Sequence, residues 1–254
     1  MRNILLKISI LICLLFIQCS ISSFAQTLKI ERTSVSQDEF RTLIFEMFEN
    51  FEQRKIEEKK LPKLTKADLE EIISAVPFTQ DGKFEISHIV KVENINKSDL
   101  YNKVYQAIVD VFVNAQNVIQ MQDKENGIIV CKGLCIGNFI YKFGIMGTSA
   151  GKEAVSFTLK IQCKDGRYKI DIYDVNTQIG VHKFLDSGLP IESYLIPEFY
   201  DTSYGEKALK QERSDEYYIN IRTQLLLDQL YQLYKIEETI QSYTTKHSTD
   251  EDNW

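Results

Sequence analysis

The chain has 254 residues, with 36 acidic side chains against 30 Lys and Arg, a formal net charge of −6 and 44% hydrophobic residues. An acidic surface repels phosphate backbones and the lysines are interleaved with acids along most of the chain, so these numbers speak against nucleic-acid binding. The hydrophobic share is enough for one ordinary core and a small accessory region.

Residues 1–25 read as a cleavable secretory signal peptide. Arg2 and Lys7 flank the start, Ile8 to Ile17 is a largely apolar run, and Ser23-Phe24-Ala25 supplies small residues ahead of Gln26. A bilayer span needs ~20 apolar residues, and no later stretch is longer or comparably apolar, so the mature chain is expected to have no transmembrane span. The competing reading is a lipid anchor at Cys19, although Gln18 is large for the position before a lipidated cysteine. Cleavage after Ala25 would remove Arg2 and Lys7 and take the net charge to −8. It would also leave Cys131, Cys135 and Cys163 in an oxidising compartment, where a disulfide can persist. Cys131 and Cys135 lie four apart on a predicted strand, ~13 Å, too far for a bond between them. A bridge needs Cys163 or a bulge at Gly133; three small buried hydrophobes are the alternative.

The predicted elements begin with a helical segment, residues 26–80. Phe40, Leu43, Phe48 and Phe51 recur at helical steps, and Thr65 with Asp68 caps a second helix that Pro77 stops, the charged turn Glu57-Glu58-Lys59-Lys60 joining the two. The phenylalanine stripe is expected to pack on the adjoining domain, with a partner groove as the alternative. Phe84 to Val92 alternates as a half-buried strand, and Ser98 is a candidate cap for a helix carrying Leu100, Val104, Ile108 and Val111 on one face. Strands at Val118–Gln122 and Ile128–Ile136 flank an Asn126-Gly127 turn. The clearest pattern follows: Val155, Phe157, Leu159, Ile161 and Cys163 alternate with Ser156, Thr158, Lys160 and Gln162, then Asp165-Gly166 turns the chain into Tyr168, Ile170 and Ile172. Asn176 to Ser214 reads as loop, Ile219 to Ile240 as a closing helix, and residues 244–254 as an acidic flexible tail. The order strand, helix, four strands, helix gives an α+β domain over residues 81–243, an antiparallel sheet with helices on one face behind an N-terminal helical hairpin.

The runs Phe84 to Val90, Ser98 to Asn102, Thr158 to Ile161 and Lys164 to Lys169 resemble an exported bacterial family, domain of unknown function 4468, with a TBP-like fold. The likeness spans roughly Phe84 to Val175, and the helical segment lies outside it. It implies a curved antiparallel sheet backed by helices. It implies no function, because function belongs to a site and not to a fold.

No motif found in the chain carries a complete chemistry. Gly147-Thr148-Ser149-Ala150-Gly151 matches G-x-S-x-G, and Asp171 or Asp174 followed by His182 supplies the remaining hydrolase order. The pentapeptide, however, precedes a strand where a nucleophile elbow needs a helix. His88, His182 and His247 show no metal spacing, and Cys131, Cys135 and Cys163 lack a second closely spaced ligand pair. Asp171 and Asp174, three apart on a strand, face opposite sides. Tyr217, Tyr218, Tyr231 and Tyr234 suit either ligand stacking or helix packing. The leading expectation is therefore a non-enzymatic envelope or periplasmic binding module without catalytic, metal or cofactor residues. Its candidate contact surface is the sheet face opposite the helices, with Ser156, Thr158, Lys160, Gln162, Lys169 and Tyr173. The partner would be an envelope protein or a small ligand. A serine hydrolase using Ser149 and His182, or an apolar-ligand protein, is the alternative.

Overall fold

The computed structural model describes residues 35–58, 62–112, 114–142, 148–177, 189–195 and 212–246. The signal segment with Cys19, the Lys59-Lys60 turn, Gly147, His182, most of the Asn176–Ser214 stretch and residues 247–254 lie outside these. Helix α1, Gln37–Glu58, starts at a reciprocal cap: Glu39 N–H donates to Ser36 Oγ at 3.2 Å while Ser36 N–H donates to Glu39 Oε2 at 2.8 Å. Helix α2, Lys66–Ala75, has the same box built from Thr65 and Asp68. The phenylalanine stripe packs inside the fold. Phe40, Ile44 and Phe51 are buried, the Phe48 ring stacks on Tyr231 at 3.8 Å, and Phe40 meets Tyr234 edge-on at 6.2 Å. These two tyrosines are thus packing residues.

Strand β1, Ile86–Lys91, leads into helix α3, Lys97–Val111. The cap differs from expectation: Asn96, two residues before Ser98, accepts the Asp99 N–H at 3.0 Å. Asn is as good a cap as Ser, and the apolar period fixes the face of a helix better than its first residue. A one-turn helix, α4 (Ala115–Val118), precedes β2, Ile119–Asp123, β3, Ile128–Lys142, β4, Thr148–Lys164, and β5, Arg167–Thr177. All pair antiparallel in the order β1-β5-β4-β3-β2, with a two-residue β6, Leu189–Pro190, beside β5. β3 and β4 run longer than predicted, and Thr148–Gly151 is part of β4. Helix α5, Glu212–Lys246, closes the fold and runs to Lys246, into the expected tail.

One face of the sheet is the core side. Ile129, Cys131, Val155, Leu159, Ile161, Ile170 and Ile172 point from it into Leu100, Val104 and Ile108 of α3 and Leu226, Leu230 and Leu233 of α5, all buried. These side chains form the core layer between the sheet and the two helices. Helix α5 also completes the sheet laterally. Beyond Cys131 no described strand pairs with the outer edge of β3. There Asn138 N–H donates to Asp228 Oδ2 at 2.6 Å, Ile140 N–H donates to Gln224 Oε1 at 3.1 Å, and Gln224 Nε2 donates to the Ile140 carbonyl at 3.3 Å. Gln224 and Asp228 are one helical turn apart, so the helix presents both to alternate strand residues in place of a strand partner. Gly137 permits this approach: a Cβ there would lie 2.6 Å from Gln229 Cγ.

Candidate functional site

The opposite sheet face carries no described helix. Cross-strand partners share a face, and the register builds this one in rows. Ile89, Lys169, Gln162 and Ile128 form one row; Ser87, Asp171, Lys160, Val130 and Met121 form the next. Tyr173, Thr158 and Lys132 follow, then Asn176, Ser156 and Leu134, then Ala154 and Ile136. At the other end Lys91, Arg167 and Lys164 line up across three strands. All six expected contact residues therefore lie on one face.

Their exposure is uneven. Ser156 and Lys169 are exposed, Lys160, Gln162 and Tyr173 half-buried, and Thr158 buried. Thr158 is thus corrected from a contact residue to a floor residue, since Tyr173 and Lys132 flank it in the ladder and both outreach a threonine. A bulge in β5, where Asp174 adopts φ 51°, lets Tyr173 face outward while Val175 faces the core. It also breaks the simple alternation from which Asp171 and Asp174 were placed.

The centre of the face holds residues absent from the sequence-based set. Asp171 is nearly buried; its Oδ1 accepts Ser87 Oγ–H at 2.8 Å and pairs with Lys169 Nζ at 2.7 Å. Burial, and then the Asp171 charge, push the Glu85 carboxyl above its ordinary range. Burial, with the Asp174, Asp171 and Glu85 charges, pushes the Tyr173 hydroxyl up as well. Around this cluster Leu134 is 59% exposed, Ile89 55%, Met121 46% and Ile136 41%. Among the described residues, Lys91, Lys132, Lys152, Lys160, Lys164, Lys169 and Arg167 share the face with Glu85, Asp123 and Asp171 as acids, and Asp174 lies in the bulge beside Tyr173. The interleaving of lysines and acids along the chain therefore does not imply a surface without a basic patch, because period two sorts them by face.

The other candidates are placed as follows. Ser149 is exposed inside β4 opposite Tyr141, with strand on both sides of it. Gly151 lies opposite Phe139, whose ring occupies the place of a side chain, which accounts for that glycine by packing. His88 points to the core side, its Nδ1 2.6 Å from Glu237 Oε1; Arg41 approaches the same carboxylate at 3.6 Å. Cys131, Cys135 and Cys163 are free, and burial pushes each thiol up to about 12. Cys131 sits opposite Leu159, four residues from Cys163 along β4, so the register separates the pair by more than ~13 Å, and of the two readings of these cysteines the arrangement matches three unbridged thiols. Among the described residues no group of three His, Cys, Asp or Glu is placed to hold a metal ion, and no helix is long and apolar enough to cross a membrane.

Residues 87–178 match the family model described as a domain of unknown function (DUF4468) with TBP-like fold. This is the resemblance expected from the strand and turn motifs, over almost the expected span. A DUF4468 family protein from Bacteroides ovatus ATCC 8483 is similar at 12% identity and a TM-score of 0.43, covering 64% of this chain and 88% of its own. A TBP-like protein from Parabacteroides distasonis ATCC 8503 is similar at 16% identity and a TM-score of 0.41, covering 64% of this chain and 96% of its own. No curated protein matches the chain at a significant level.

Proposed function

We propose that this chain is an exported, non-enzymatic binding module of the periplasm or cell envelope, holding a protein partner on its open sheet face. One observation carries the reading: a face without a described helix exposes Leu134, Ile136, Met121 and Ile89 among seven cations, on a chain whose net charge is −6. Exposed apolar side chains ringed by charge mark interaction surfaces. The excess of cations favours a partner segment that carries acids beside apolar groups, because complementary charge steers encounter and rejects other partners. Export rests on the signal pattern in residues 1–25, and the mature protein is expected to begin at Gln26. Mass measurement of the exported protein tests this, and a lipid on Cys19 would replace cleavage after Ala25.

A photo-crosslinking residue at position 134, with a control at exposed Val109 on α3, tests the face. The expected result is one discrete envelope adduct from position 134, absent from position 109. It should be lost when Lys160→Glu and Lys169→Glu are added. Equal adducts from both positions, or an adduct indifferent to the two charge reversals, would overturn the reading.

A further inference from the structure

We infer that the cleft between α1 and α2 is a binding site for a basic amino acid, a ligand with one carboxylate and two ammonium groups. The cleft has a volume of about 530 Å³, within the range of small-molecule sites. Both helices pack mainly on α5 and only briefly on each other, which leaves the space open. α1 lines it with one stripe: Leu43, Met47, Asn50 and Arg54 follow at three- and four-residue steps, with Glu46 beside Met47. α2 adds Asp68 and Glu71, one turn apart. Leu43, Met47 and buried Leu64 supply an apolar wall.

The charges in this cleft do not neutralise one another. Arg54 makes no ion pair among the described residues, although three carboxylates line the same space. Glu46 and Glu71 have no cationic partner there either, since the neighbouring Lys55 and Lys66 pair with Glu52 and Glu70. Glu46 and Arg54 stand about 12 Å apart along the helix axis, a separation that their side chains do not close. Arg54 is also held in place, because its Nε is buried without a hydrogen-bond partner. An incoming carboxylate therefore meets the guanidinium end-on, through the two terminal nitrogens. Asp68 Oδ2 is taken by the Thr65 N–H and Oγ–H at 2.6 and 2.7 Å, which leaves Oδ1 for a ligand. A ligand that meets both needs carries a carboxylate for Arg54 and ammonium groups for the three acids. Three acids against one cation favour a molecule whose ammonium groups outnumber its carboxylates, and the apolar wall suits a methylene chain between them. L-Lysine has this composition. An inorganic anion would face three carboxylates, and a diamine would leave Arg54 without a partner.

Equilibrium dialysis of the exported protein against isotope-labelled L-lysine tests this. One saturable site is expected. Cadaverine, which lacks the carboxylate, and hexanoate, which lacks both ammonium groups, should compete roughly tenfold less well than unlabelled lysine or worse, as the loss of a hydrogen-bonded charge requires. Arg54→Met, which keeps the stem without the charge, should weaken lysine binding by a similar factor with an unchanged circular dichroism spectrum. The near-isosteric Glu46→Gln/Glu71→Gln should do the same from the other end of the ligand. No saturable binding at millimolar lysine overturns the inference, and the cleft then holds water alone. Cadaverine competing as well as lysine also overturns it, since the acids then act as a plain anionic patch, and so does undiminished binding in Arg54→Met. The cleft shares no residue with the open sheet face, so Lys160→Glu/Lys169→Glu should leave lysine binding unchanged, and failure of the proposed partner binding would be separately visible.

Discussion

Glu237 sits 1% exposed between His88 on β1 and Arg41 on α1, whose side chains are 30% and 23% exposed. The burial is one-sided, so the three residues should respond unequally. Arg41→Leu combined with His88→Leu strands the carboxylate, and leaving one member of a buried pair alone costs about 3–5 kcal/mol. For a protein of this size that corresponds to a fall in Tm of roughly 6–20 °C. Glu237→Leu alone leaves Arg41 and His88, both partly exposed and able to turn to water, and its expected cost is the about 1–2 kcal/mol of lost hydrogen bonding. The triple variant should regain most of what the double variant loses, as buried ion pairs often exchange for apolar residues at little cost. Arg41 also lies 5.5 Å over the Phe45 ring, so each single variant is needed to close the cycle. Urea unfolding followed by far-ultraviolet circular dichroism suits the measurement. If Glu237→Leu alone costs as much as the double variant, or the triple is no more stable than the double, the carboxylate is not the group that needs its partners.

Burial raises the Asp228 carboxyl above its ordinary range. Its contribution to stability is therefore fully present below the unfolded value and lost as pH rises through the folded one. Asp228→Asn, which can still accept the Asn138 N–H, should flatten the stability profile through that window and leave the protein at least as stable at neutral pH. An unchanged pH profile in urea titrations would count against it. Gly137→Val should lift α5 off β3 and destabilise by about 1–3 kcal/mol, seen as a lower urea midpoint; a neutral result would mean the helix does not sit this close. With burial pushing the thiols up to about 12, Cys131 and Cys163, both buried, should resist a thiol reagent near pH 8 until denaturant is added. Rapid labelling of either in the native protein would contradict their placement.

Most of the architecture is legible in the sequence because it rests on periodicity. The apolar alternation in β4 and β5 fixes the core face, and Asp165-Gly166 fixes the register of their hairpin. β3 is read short because Gly137 and Asn138 interrupt its pattern. Only the fold shows that Gln229 packs against the first and Asp228 bonds the second. The contact face is read in part: the outward residues of β4 and β5 are visible, but their neighbours on β1 and β3 depend on register. Ser87, Asp171 and Glu85 belong to this unseen part, since a polar cluster assembled from two strands eighty residues apart leaves no local signature. The concentration of charge escapes for the same reason. Lys91, Lys164 and Arg167 are scattered along the chain and meet only across the ladder.

The substitution of helix side chains for a missing strand at β3 has a consequence in time. Gln224 and Asp228 bond residues 84 and 90 positions earlier, so these contacts form only once a long stretch of chain has closed. Synthesis runs from the first residue to the last, so the strands are made before α5 is. Until that helix arrives, the distal half of β3 offers its backbone groups to any extended chain nearby. Any chain in which α5 is not yet seated would therefore present an edge that the finished fold closes.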